Sequence, residues 1–80
     1  MKYVQFYKAD LSGNISEALG SDGVMVLDGR WGTDRIHNEA YSQAQQLNTC
    51  LNKGLVGYKV WQGRSFSDSH PVTEYRKIYA

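Results

Sequence analysis

At 80 residues the chain has the size of one domain, and with 41% hydrophobic residues it is too apolar for an intrinsically disordered segment. Its formal net charge of +1 argues against an acidic DNA mimic and against a duplex-DNA binder, which needs a basic excess. No apolar run approaches the length of a membrane-spanning helix, and a single cysteine excludes an internal disulfide. The start, MKYVQFYKAD, lacks the apolar segment of a signal peptide. We therefore expect one cytoplasmic domain over residues 1–80 that does not enter a membrane.

The first third of the chain predicts two strands with a short helical turn between them. KYVQFYKA (2–9) alternates in hydrophobicity, which predicts a strand with Val4 and Phe6 facing inward. NISEALG (14–20) begins with a capping asparagine and ends with a glycine, a pattern typical of a helical turn. VMVLDG (24–29) is rich in β-branched and apolar residues and predicts the second strand.

The main helix is predicted over residues 33–53. Its apolar positions recur at helical spacing and form a narrow stripe: Ile36, Ala40, Ala44, Leu47 and Leu51. Thr33 or Asp34 is expected to cap its first turn, and Gly54 is expected to end it. The opposite side of the helix is polar but uncharged, a neutral helix face made of Asn38, Ser42, Gln45, Thr49 and Asn52.

The last third predicts two more strands around a long turn. LVGYKVWQ (55–62) is expected to place Val56, Tyr58 and Val60 toward the helix, and VTEYRKIY (72–79) is expected to be the fourth strand. The predicted fold is therefore α+β, a four-stranded antiparallel sheet in ββαββ order with one main helix packed on one face. A crossover that skips one strand gives the strand order 2-1-3-4.

Residue types that carry catalysis occur in this chain, but their spacing is wrong for it. His37 and Cys50 lie on one helix about 20 Å apart, so they do not form a pair. SFSDSH (65–70) holds serine, aspartate and histidine too close together for a catalytic triad, and too few ligands for a metal site. We expect no enzymatic activity, no catalytic residue, no bound metal and no cofactor.

The sheet face turned away from the helix is the main candidate for partner binding. It is predicted to carry Tyr3, Tyr7, Lys59 and Trp61, with Arg64 and Arg76 near them. Tryptophan, tyrosine and arginine dominate binding hot spots in protein interfaces, which favours a protein partner here. Aromatic and basic residues on an open sheet also suit single-stranded nucleic acid such as RNA, which is the alternative. The neutral helix face is a competing interface, and a homodimer that partly uses the sheet face is a further option.

In the run YSQAQQLNTCLNKGLVGYKVWQGRSF, most of the predicted helix is followed directly by the third predicted strand, which ends in Gly-Arg. In size, lone cysteine and predicted ββαββ order, the chain resembles small phage- or prophage-encoded inhibitors of host functions, including anti-CRISPR proteins. The resemblance implies a non-enzymatic protein that blocks a bacterial protein complex by binding it in the host cytoplasm. Because the chain is not acidic, the resemblance implies steric or allosteric blocking rather than DNA mimicry.

Overall fold

The computed structural model describes residues 1–18 and 23–79 of the chain. Within them, one helix packs against one face of an antiparallel sheet. The elements are β1 (Lys2–Ala9), β2 (Ile15–Glu17), β3 (Val24–Leu27), α1 (Thr33–Leu51), β4 (Leu55–Gly63), β5 (Ser69–Pro71) and β6 (Arg76–Lys77). The α+β class with one helix is confirmed. The count of four strands in ββαββ order is wrong for the described residues, which hold six strands.

β1 and β4 are the long central strands, and they pair with each other in antiparallel register. On the outer edge of β1, β3 pairs with residues 2–5 and β2 pairs with residues 7–9. On the outer edge of β4, β5 pairs with residues 61–63 and β6 pairs with residues 57–58. Each outer position of the sheet is thus shared by two short strands. This sharing is why four predicted strands become six.

The segment predicted as a helical turn begins with strand β2 instead. The carboxylate of Asp10 accepts hydrogen bonds from the backbone N–H groups of Ser12 and Asn14, and Gly13 has a φ of 84°. This tight turn sends the chain straight back along β1, so Asn14 lies in the turn and caps no helix. Gly20, the predicted end of the helical turn, lies outside the described residues.

Helix α1 ends slightly earlier than predicted and buries most of its apolar stripe. Ile36, Ala40, Ala44 and Leu47 are buried, whereas Leu51 is 55% exposed. The N-cap is Gly32 rather than Thr33 or Asp34, with no side-chain cap, and the left-handed residue that ends the helix is Asn52 rather than Gly54. Because the helix stops at Leu51, the next apolar residue to reach the core comes from β4.

A β-bulge at the start of β4 determines that Leu55, and not Val56, is the next apolar residue in the core. Tyr7 pairs with Gly57, but the next β1 residue, Lys8, pairs with Leu55, so Val56 is the extra residue. The bulge turns Leu55 into the core, where it is 2% exposed, and leaves Val56 only partly buried. The predicted inward position of Val56 is therefore wrong, while Tyr58 and Val60 face the helix as predicted.

Of the predicted last strand, 72–79, only β6 is a strand, and β5 forms in the segment before it that was predicted as a turn. The backbone N–H of Val60 donates to the hydroxyl of Thr73 at 3.1 Å, where a continuous strand would offer a carbonyl oxygen. The chain re-enters the sheet at β6, and Ile78 completes the core.

Candidate functional site on the helix-free sheet face

Three rows of side chains cross the sheet on the face that carries no helix, because directly paired residues of antiparallel strands share a face. The first row is apolar and aromatic: Val26, Tyr3, Trp61 and Pro71. The second is Val24, Gln5 and Lys59. The third is Glu17, Tyr7, Gly57 and Lys77. The predicted residues Tyr3, Tyr7, Lys59 and Trp61 therefore lie together on one surface, the helix-free face.

The aromatic row is partly covered by Phe66, a residue of the turn between β4 and β5. Its ring packs edge-on against Tyr3 at 6.0 Å and against Trp61 at 5.8 Å between ring centroids. The Tyr3 hydroxyl donates to the backbone oxygen of Arg64 at 3.1 Å, which ties the start of this turn to the sheet. Tyr3 is consequently only 6% exposed, so the aromatic row is less open than the alternating pattern alone predicts. Phe66 was not predicted as part of this surface.

Two donors on this face have no acceptor within the described chain. The indole N–H of Trp61 is buried and has no hydrogen-bond partner there. Lys59, two residues away on the same face and half-buried, forms no ion pair with any carboxylate of the described residues. A buried donor without a partner costs about 1–3 kcal/mol, and this cost applies to the indole N–H of Trp61; Lys59 is partly exposed and contributes an unpaired positive charge beside it.

The other end of the face is shaped by a tyrosine pair. Tyr7 and Tyr75 pack edge to face with ring centroids 5.5 Å apart. The ring of Tyr75 lies over Gly57, in the space that a Cβ atom at that position would occupy. Burial, and secondarily the charge of Glu17, raises the pKa of Tyr7, so its phenol stays protonated at neutral pH.

The two arginines predicted near this face lie in different places in the structure. Arg64 is exposed and follows the end of β4, beside the aromatic row. Arg76 pairs with Tyr58, so its side chain lies on the opposite, helix-bearing side of the sheet. The prediction that Arg76 lies near the helix-free face is wrong, because β6 places Lys77 opposite Gly57 on that face and Arg76 opposite Tyr58 on the other.

Arg76 instead belongs to a polar cluster that sequence reasoning missed. The Tyr58 hydroxyl lies 2.8 Å from His37 Nδ1. Burial raises the pKa of Tyr58, while the charge of Arg76 and its hydrogen bond to the phenol act in the opposite direction. A tyrosine at an inward position of a strand is normally predicted to be a core residue. The cluster becomes visible only when β4 packs against α1 and pairs with β6.

The neutral helix face is exposed along its whole length, as predicted. Asn48, next to it on the helix, has a structural role: its side chain donates to the Leu55 carbonyl at 2.9 Å and accepts from the Leu55 N–H at 2.7 Å. None of the five residues of the neutral helix face makes such a bond to β4. Nothing about their geometry distinguishes them from ordinary solvated surface.

Within residues 1–18 and 23–79, no group of three or more His, Cys, Asp or Glu side chains is arranged to hold a metal ion. In the same residues, no helix is both long and apolar enough to span a membrane. Comparison of the chain with protein-family models, with curated proteins and with solved structures finds no match in any of the three.

Proposed function

We propose that the chain is a non-enzymatic binding protein that docks on a protein partner through the helix-free face. The observation that carries this proposal is the pair of donors without acceptors, Lys59 and the indole N–H of Trp61. Trp61 packs against Phe66, and Lys59 lines a groove together with Tyr75, so both lie in the aromatic surroundings in which interface hot spots form. A partner would satisfy both groups by placing a carboxylate opposite Lys59 and a hydrogen-bond acceptor at the indole N–H of Trp61, and its apolar atoms would cover the rest of the aromatic row.

The arrangement of the rings favours a protein over single-stranded nucleic acid. Base stacking needs aromatic rings with one face open. Tyr3 is 6% exposed and Phe66 covers both Tyr3 and Trp61, so this row does not offer a stacking platform. Nucleic-acid binding stays the second candidate, because Lys59, Arg64 and Lys77 give this side of the sheet three cations.

The resemblance to phage-encoded inhibitors extends the proposal to a cellular role. In that role the protein binds a bacterial protein complex in the cytoplasm and inhibits or modulates it by occupying a surface. The helix-free face is the surface that would do so, and a second copy of the chain is a competing occupant of it.

The test compares capture from bacterial lysate by tagged wild-type protein, Trp61→Ala and the matched control Gln45→Ala, with and without nuclease. Trp61→Ala is expected to weaken capture of a protein partner by about 1–3 kcal/mol, while Gln45→Ala on the neutral helix face leaves it unchanged. Melting temperatures of the three proteins show that each is folded. Capture lost by Gln45→Ala and kept by Trp61→Ala would overturn the proposed face. Capture that nuclease abolishes would favour the nucleic-acid alternative.

A further inference from the structure

A cavity of about 220 Å³ lies on the helix-bearing side of the sheet, away from the helix-free face. The first turn of α1 forms one wall, and the segment between β5 and β6 forms another. Its charged and polar lining residues are Lys2, Thr33, Tyr58, Gln62, Thr73 and Arg76. The cavity exists because the chain leaves the sheet between β5 and β6, where the Thr73 hydroxyl takes the place of a backbone acceptor.

The cavity has two cations in its lining and, among the described residues, no carboxylate. Lys2 donates to the backbone oxygen of Trp31 at 3.1 Å, and Arg76 lies opposite Tyr58 in the sheet, near enough for its charge to lower the pKa of that phenol. The Lys2 ammonium is oriented by this carbonyl oxygen, and neither cation forms an ion pair with a carboxylate in the part of the chain that the structure describes. The two positive charges in the lining therefore remain uncompensated.

The remaining lining suits a ligand that has both an anionic and an apolar part. The hydroxyls of Thr33 and Thr73 can donate to ligand oxygens. Ile36, Val60 and Val72 supply apolar contact. An oxyanion accepts strong charge-assisted hydrogen bonds from a guanidinium and an ammonium group together.

We propose that this cavity binds a small molecule carrying an oxyanion group, a carboxylate or a phosphate, held between Lys2 and Arg76. At about 30 Å³ for each water of the liquid, the cavity has the volume of about seven waters, which limits the ligand to a small metabolite-sized molecule. The site lies on the other side of the sheet from the proposed protein interface, so either proposal can fail while the other holds.

The experiment titrates the isotopically labelled full chain with inorganic phosphate and, in a second arm, with acetate, followed by amide chemical shifts in NMR spectra. Sodium chloride keeps the ionic strength constant, because unspecific charge screening must not change during the titration. We expect saturable shifts that cluster at Thr33, Thr73 and Arg76 in at least one arm. The arm with the tighter binding identifies the oxyanion group.

Two variants and one control make the result specific to the cavity. Arg76→Gln and Lys2→Gln are each expected to weaken binding about tenfold or more, whereas Lys77→Gln, on the opposite sheet face, keeps wild-type affinity. The spectra report whether each variant is folded. If a variant does not fold, the location of the shifts in the wild-type protein still tests the proposal. The proposal is overturned if neither anion saturates in the millimolar range, if the shifts scatter over all lysines and arginines, or if folded Arg76→Gln binds like the wild type.

Discussion

Gln5 allows the sharpest test of the fold, because its side chain is a donor enclosed by acceptors. It is 4% exposed, and its amide nitrogen lies 2.9–3.0 Å from the backbone oxygens of Phe6, Ala18 and Gly23. Three acceptors around one atom identify that atom as the nitrogen of the amide. The bonds hold both ends of the connection between β2 and β3 against the sheet. Gln5→Glu keeps the size of the side chain and replaces this donor by an oxygen.

The expected cost of Gln5→Glu depends on pH. In the protonated form one O–H donor replaces the two N–H donors of the amide, so one donor is lost and a carboxyl oxygen comes to face the carbonyl oxygens, at a total cost of about 2 kcal/mol. The ionised form would face three carbonyl oxygens, which raises the pKa of the introduced carboxyl above its unfolded value of about 4.3. A raised folded-state pKa means that stability is lost as pH rises above the unfolded value, by about 1.4 kcal/mol per pH unit. The cost should grow from about 2 kcal/mol at pH 4 toward about 5–6 kcal/mol at pH 7.

Urea unfolding followed by far-UV circular dichroism measures this at pH 4 and pH 7, with the wild type measured at both. An 80-residue domain has a free energy of unfolding of about 4–12 kcal/mol, so the variant should be close to unfolded at neutral pH. Gln45→Glu, on the exposed neutral helix face, is the matched control and should unfold like the wild type. If the gap between Gln5→Glu and wild type is the same at both pH values, the enclosed-donor geometry is wrong.

Three further substitutions test the packing around β4. Asn48→Ala removes both hydrogen bonds to the Leu55 backbone and should cost about 1–3 kcal/mol in urea unfolding. Gly57→Ala places a methyl group where the Tyr75 ring lies, and the overlap should cost about 1–3 kcal/mol, measured the same way. Tyr58→Phe should cost about 1 kcal/mol at neutral pH through the lost hydrogen bond. Because burial raises the Tyr58 pKa, wild-type stability should fall above pH 10.0 and the gap to Tyr58→Phe should narrow there.

Each of these has a control in the same chain. Thr49→Ala changes a neighbouring exposed helix position and should be close to neutral. Gly29→Ala adds a methyl group that meets only Met1, at an ordinary contact distance of 3.8 Å, so it should also be tolerated. Tyr41→Phe removes a phenol from an exposed ring. Equal effects in a variant and its control would contradict the assigned contact, and a gap at Tyr58 that widens above pH 10.0 would contradict the assigned burial.

The sequence predicts the helix well, because its stripe is set by local periodicity. Four of its five apolar residues are buried, and two alanines let the helix approach the sheet. The end of the helix is less predictable, since it depends on Asn48 binding the backbone of a residue seven positions further along the chain. Asn52 adopts the left-handed conformation in place of the glycine that propensity favours.

The strands show where prediction from alternating hydrophobicity fails. Alternation places Tyr3, Tyr7, Lys59 and Trp61 on one face, and the register confirms that placement. It fails at Val56, because the extra residue of the bulge changes which of the first two β4 residues faces the core, while every later assignment in β4 holds. Arg76 was placed near the face without a pattern to support it, because its strand has only two residues.

The residue types of the candidate site could be predicted from the sequence, but the coverage of the aromatic row by Phe66 could not. Phe66 lies in a polar turn, SFSDS, where an aromatic residue gives no periodic signal. Its contact with the aromatic row depends on a tight turn at Gly63, where a Cβ atom would overlap the backbone oxygen of Asp68. The cluster of His37, Tyr58 and Arg76 joins three elements that are far apart in sequence, so spacing alone does not reveal it.

Site-specific photo-crosslinking in bacterial lysate can show whether the helix-free face contacts a protein partner. A photoreactive amino acid is placed at Val26, an exposed position of the aromatic row, in one protein and at Gln45 in another, and the crosslinked products are identified by mass spectrometry after nuclease treatment. We expect one dominant protein adduct from position 26 that Trp61→Ala reduces, and no matching adduct from position 45. An adduct formed from position 45 but not from position 26 would contradict the proposed face.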